Sequence, residues 1–238
     1  MKVMKHAGLA AGAMLSCSVV GPASGDIVIG DVLDVVYQGT GATRAVAWTF
    51  DGDAGTSSAG LLRWNGGLQS FCVQLEENIS SGQSISFEVV APESLPDQPP
   101  LPGPMGGARS IVVQDLFARF HDDVVGRSGD DLRDHAAAFQ MVVWEISHEM
   151  GADDSNPQSV LAGLSFDSGI ATFESGSAVE SIAGSMLAGL GVGGFTPDSR
   201  LFGLTSDSYQ DQLIVVPNAG ALAGLGGVLA IRRRRRRG

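Results

Sequence analysis

Lysine is all but missing from this chain: in 238 residues only Lys2 and Lys5 are lysines, both at the extreme N-terminus. Between residues 26 and 217, 7 arginines face 26 acidic residues, a formal charge of about −19 against −11 for the whole chain. That excess disfavours nucleic acid and other polyanions as partners, because phosphate is repelled. Cysteine is scarce too, at Cys17 and Cys72 alone. The sequence has no nucleotide-binding loop, no zinc-ligand cluster, no His/Cys metal spacing and no convincing internal repeat. Asp51-Gly52-Asp53 has the opening of a calcium loop, but position 12 of that loop falls on Leu62, where a bidentate glutamate belongs.

What the chain does have begins at its ends. Lys2, Lys5 and His6 precede an apolar stretch from Ala7 to Val20, and Ala23-Ser24-Gly25 offers small residues to a signal peptidase. A mature chain beginning at Asp26 is expected, which leaves Cys72 as its single cysteine; Cys17 only loosely fits a lipoprotein box. At the other end stand Val216-Pro217-Asn218-Ala219-Gly220, an apolar run to Ile231, and six arginines, Arg232 to Arg237. As a helix, Ala219 to Ile231 measures about 20 Å, short of a hydrocarbon core of roughly 30 Å. The arginines favour the cytoplasmic face. The arrangement resembles the PEP-CTERM sorting signal, with Val216, Pro217 and Gly220 in the motif and Arg232, Arg233 and Arg234 opening the basic cluster. The usual second proline is absent. The resemblance implies an exosortase-type sorting enzyme as partner and insertion of the tail in the membrane before processing. It also implies a product at the cell surface, outer-membrane-associated or extracellular. The expected division is residues 1–25, a signal peptide; 26–215, one folded domain; and 216–238, the sorting tail.

Short runs rich in branched and aromatic residues predict strands over Ile27 to Ile29, Asp34 to Tyr37, Arg44 to Phe50, Gly60 to Trp64, Leu68 to Leu75 and Ser84 to Val90. Ala91 to Met105 carries six prolines and reads as an exposed excursion. Helices are expected over Ser110 to His121, Asp130 to Met150 and Ser175 to Leu190, and strands again over Leu201 to Leu204 and Gln210 to Val216. Strands, then helices, then strands predict an α+β fold, an antiparallel β-sandwich or barrel-like sheet with an inserted helical subdomain.

The Asp130 to Met150 segment is the clearest element. Leu132, Ala136, Phe139, Val143, Ile146 and Met150 form one stripe at helical spacing. Asp130 and Asp131 suit the positive end of a helix. Gln140 and Trp144, four apart, flank the stripe and neighbour each other; an amide at the edge of a buried face needs a partner or a chemical fate. Cys72 sits in the strand-like Gln69-Ser70-Phe71-Cys72-Val73-Gln74-Leu75. A lone thiol outside the cell is buried, paired with another chain, or committed to chemistry.

Phe71-Cys72-Val73, followed by Ala136 to Ile146 with Gln140 and Trp144, resembles the two signatures of bacterial surface thioester domains. The same segments, with Gln210-Asp211-Gln212-Leu213, resemble a group of PEP-CTERM proteins. About twenty positions between residues 60 and 238 carry the likeness. It implies attack of the Cys72 thiolate on the Gln140 side-chain carbonyl, loss of ammonia, and an internal thioester that an amine or hydroxyl of a surface, polysaccharide or protein target opens once. Trp144 would shield the bond, and His148, His135 and Glu145 are the candidates for proton transfer. No cofactor and no turnover enzyme are implied. The lack of lysine suits a protein holding an amine-reactive bond, but a codon bias towards arginine, used everywhere including six in a row, explains it better. Two other classes remain open on the sequence: a cysteine hydrolase using Cys72 with a histidine, and a non-reactive matrix component in which Cys72 and Gln140 are only packed together.

Overall fold

The structure, a computed structural model, describes residues 27–75, 79–97, 101–150, 153–216 and 230–233. The expected signal peptide lies outside these residues, as does the sorting tail from Pro217 onward, with Gly220 and Arg234, apart from the short segment 230–233.

Seven antiparallel strands build the sheet: β1 (Asp31–Phe50), β2 (Asp53–Trp64), β3 (Gln69–Cys72), β4 (Ser84–Val90), β5 (Ala171–Glu174), β6 (Leu201–Thr205) and β7 (Gln212–Val215). The fold is α+β with a sheet-rich core. Pairings run β1–β2–β3–β7–β6–β4 and back to β1, a ring-like circuit, with β5 on the outer part of β1. The circuit closes because β1 changes partner along its length. Val32 to Val36 lie against β4, and after register shifts around Gly39 and Thr40–Thr43 the strand continues against β2 and β5. Bulges of this kind bend a strand from one sheet into the next. The backbone of Ala230–Arg233 pairs along the start of β1.

Alternation explains the strands. Leu33, Val35 and Tyr37 in β1, and Ile85, Phe87 and Val89 in β4, are buried, while Ser84, Ser86 and Glu88 face solvent. The separate strands expected over 34–37 and 44–50 are one continuous strand, because Gly39 and Gly41 mark a bulge and not a turn. Asp51 and Gly52, both at positive φ (49° and 91°), form the two-residue turn of the β1–β2 hairpin. Turns of that type favour Asp-Gly.

Between β4 and β6 come α1 (Gly106–Leu116), a π-turn (Phe117–His121), α2 (Asp122–Val125), α3 (Gly129–His148), α4 (Pro157–Gly163) and α5 (Ser177–Gly189). Two expectations are corrected here. The described residues of the proline-rich segment are not wholly exposed: Leu95 is fully buried, Met105 nearly so, and the Met105 N–H closes onto the Leu95 carbonyl at 2.7 Å. Nor does α3 bury one stripe only. From Ala136 to His148 every residue is buried, with sheet on one side and α5 on another, so Gln140 lies in the interior and not at an edge. A helix enclosed on all sides loses the amphipathic pattern that identifies its buried face. Met150, the expected end of the stripe, is exposed.

Candidate functional site

Cys72 is the last residue of β3, and the geometry of that strand end creates the site. Phe71 and Cys72 pair with Leu213 and Gln212 of β7, and the Val73 N–H continues towards β7 through the Asp211 carbonyl at 2.9 Å. On its other side β3 follows β2 only as far as Ser70. Alternate residues of a strand present their backbone groups to opposite neighbours, so the Cys72 N–H and C=O face the side where β2 has ended. The Gln140 side chain fills that gap. Its Oε1 accepts the Cys72 N–H at 3.0 Å, and its Nε2 donates to the Cys72 carbonyl at 2.7 Å. One primary amide thus replaces a missing strand, 68 residues away in sequence.

The surroundings are dry and closely packed. Cys72 is 5% exposed and Gln140 fully buried. Burial pushes the Cys72 thiol up to about 12, opposed by the Trp144 indole N–H, which favours the thiolate, and the thiol proton points to the Gln74 carbonyl at 3.5 Å. At neutral pH the group is a thiol. Phe71 packs against Phe139 (ring centroids 4.5 Å) and Phe117 (6.0 Å), which fastens β3 to α3 beside the cysteine.

Past Cys72 a polar network holds the chain, and sequence reasoning gave it no role. Gln74, fully buried, donates from Nε2 to Asp97 Oδ1 at 3.1 Å and accepts the Asp211 N–H on Oε1. Its carbonyl accepts Gln210 Nε2 at 2.7 Å. Asp211 accepts the Asp97 N–H at 2.7 Å and the Ser206 N–H at 3.3 Å. Burial, and then the Asp97 charge, raise the Asp211 carboxyl to about 7. Trp64 donates to Ser70 Oγ, which donates to Gln212 Oε1, both at 2.8 Å. The available signal was Gln210-Asp211-Gln212 in an otherwise apolar strand, since polar side chains in a buried strand need one another.

The proton-transfer candidates lie elsewhere. His135 is half-buried on the outer turns of α3, with Nδ1 2.8 Å from the Asp131 carbonyl. His148 is buried, its Nδ1 near Ser147 Oγ (2.8 Å) and the Trp144 carbonyl (3.1 Å), its ring edge-on to Phe50. Burial lowers it to about 3, so its imidazole is neutral. Glu145 accepts the Ser165 N–H at 2.6 Å, facing the loop before β5. None of the three is hydrogen-bonded to Cys72 or Gln140 among the described residues. Trp144 is 1% exposed and stacks on Phe173 of β5 (centroids 6.1 Å, planes 16° apart), and its indole N–H favours the Cys72 thiolate.

Behind the site, Arg109 clamps the end of α3. This buried guanidinium donates to the Ile146 carbonyl at 2.9 Å, to the Glu149 carbonyl, and to Asp154 Oδ1 at 2.8 Å. Glu149 in turn accepts the Ile170 and Ala171 N–H groups. Gly169, at φ 119°, passes so close that a Cβ there would strike the Glu149 carboxylate.

Burial also raises Glu145 from 4.5 to about 7, with the Glu149 charge adding to it. In that interval the unfolded chain has released a proton that the folded one keeps, so stability falls as pH rises from about 4.5 to about 7. Glu145→Gln can accept the same Ser165 N–H without a charge. It should match the wild type at pH 4 and exceed it by about 3 kcal/mol at pH 8. Urea unfolding at the two pH values decides, and an equal difference at both would contradict the burial argument.

Among the described residues no group of three or more His, Cys, Asp or Glu is arranged to hold a metal ion, and no helix is long and apolar enough to cross a membrane. Compared with known protein families, with curated proteins and with solved structures, the chain finds no match in any of the three.

Proposed function

We propose that the mature chain is an exported cell-surface or extracellular-matrix protein, delivered by its C-terminal signal, in which Cys72 and Gln140 form an internal thioester able to capture an amine or hydroxyl. One observation carries the reading: the Gln140 amide is docked on the backbone of the residue that bears the chain's buried thiol. The Cys72 N–H bonded to Gln140 Oε1 polarises the carbonyl and is already aimed at the oxygen on which negative charge develops. In the reaction a bond forms between Cys72 Sγ and Gln140 Cδ, the Cδ–Nε2 bond breaks, and the thiol proton leaves with the nitrogen as ammonia. Proximity supplies the main advantage, since the fold holds the amide on the backbone of the residue that carries the thiol.

A hydrolase reading has less support, because His148 is occupied by the Trp144 carbonyl and by Ser147. Burial of the pair favours a protected bond that opens only to small nucleophiles or after movement of the covering chain.

The test is capture of a tagged amine. Wild-type protein incubated with deuterium-labelled methylamine should acquire one label on Gln140 and expose one titratable thiol, while Cys72→Ala should acquire none. Labelling of Cys72→Ala at the wild-type level would remove the thioester from the account.

A further inference from the structure

The Trp144 indole N–H is buried and meets no acceptor at hydrogen-bonding geometry among the described residues, while lying close enough to the Cys72 sulfur to favour its thiolate. A buried donor without a partner costs about 1–3 kcal/mol, and the ring is held in place by its stack on Phe173. Trp144 stands one helical turn after Gln140, on the same face of α3, beside the Cys72 sulfur. A neutral thiol or thioester sulfur is a poor acceptor, whereas a thiolate is a good one. The donor is therefore idle while the bond is intact and engaged when the bond breaks.

We propose that Trp144 Nε1–H is the hydrogen-bond donor that receives the departing Cys72 thiolate when the thioester is opened, so that Trp144 sets the reactivity of the bond as well as covering it. The inference rests on the thioester reading. In the step, an amine attacks Gln140 Cδ, the Cδ–Sγ bond breaks with its electron pair going to sulfur, and a proton from the amine passes to solvent and finally to the thiolate. The Cys72 N–H holds the carbonyl oxygen and the Trp144 N–H holds the leaving sulfur, so the two sites of developing charge have separate donors. Burial alone makes this thiolate a poor leaving group, with the thiol pushed up to about 12. A donor stabilising only the broken state acts on the transition state without tightening the resting one.

Trp144→Phe keeps an aromatic ring against Phe173 and deletes the N–H. Opening of the thioester by methylamine, followed by the appearance of free thiol, is expected to slow about tenfold, as for loss of a hydrogen bond to a charged group. The freed thiol should also be alkylated about tenfold more slowly by iodoacetamide at fixed pH, as its ionisation becomes harder by about one unit. A purely structural role predicts the opposite sign, since a loosened site admits water and reagent faster. Rates of opening and alkylation unchanged or increased in a folded Trp144→Phe protein overturn the proposal. If that variant loses its cooperative unfolding transition, 3-benzothienylalanine at position 144, isosteric but without the N–H, decides by the same two rates. Should the purified wild type carry no thioester, the function proposed above fails. The alkylation comparison then still reports whether Trp144 donates to the Cys72 sulfur.

Discussion

Gln140→Ala should destabilise the domain by about 3 kcal/mol more than Cys72→Ala, although either substitution abolishes a thioester. A covalent link closing a loop of 68 residues contributes about 4 kcal/mol by restricting the unfolded chain, and both variants lose it equally. The difference isolates what the amide does without the bond. Cys72→Ala keeps the backbone N–H and C=O on which Gln140 docks and removes a small buried side chain. Gln140→Ala leaves both of those groups buried and unpaired, at about 1–3 kcal/mol each, and opens a cavity in the middle of α3. Denaturant midpoints of the two variants make the comparison, and equal midpoints would show that the amide contributes nothing to holding β3 on the helix.

The second large effect is expected at Arg109, which lies far from the reacting atoms. Arg109→Met keeps much of the stem's volume but orphans the Ile146 and Glu149 carbonyls and leaves the half-exposed Asp154 without its cation. Each buried carbonyl left without its donor costs about 1–3 kcal/mol, while the half-exposed Asp154 regains water. The loss should concentrate at the C-terminal end of α3, the end that carries Trp144 and His148. Hydrogen exchange resolves this: amides of residues 144–149 should lose protection before those of 136–140. Uniform loss along the helix would mean that Arg109 contributes only to global stability.

Much of the fold was legible because strands of a half-buried sheet write their burial into alternation. Ser84–Val90 is read to the residue, with Ile85, Phe87 and Val89 inward. Two features misled. The long β1 looks like separate strands because Gly39 and Gly41 resemble turn residues, and only pairing with β2 shows that the strand runs on. The proline-rich segment looks exposed, yet Leu95 and Met105 draw it onto the sheet, a tertiary effect that composition does not record. At the site, Cys72 and Gln140 could be singled out as a lone thiol and an amide among apolar neighbours. Their actual relation, an amide standing in for a missing strand, depends on where β2 stops, and no local pattern encodes that. The Gln74–Asp97–Asp211 network and the Arg109 clamp escaped for the same reason, since each joins residues far apart in the chain that only the tertiary fold brings together.

The account turns on whether Cys72 and Gln140 are joined, and intact-mass measurement of the mature domain, purified rapidly without amines, answers this directly. The prediction is a wild-type mass lower than the sequence value by one ammonia, with Cys72→Ala and Gln140→Ala both at their sequence masses. A wild-type mass at the sequence value, with peptide mapping showing an intact Gln140 amide and a free Cys72, would contradict it.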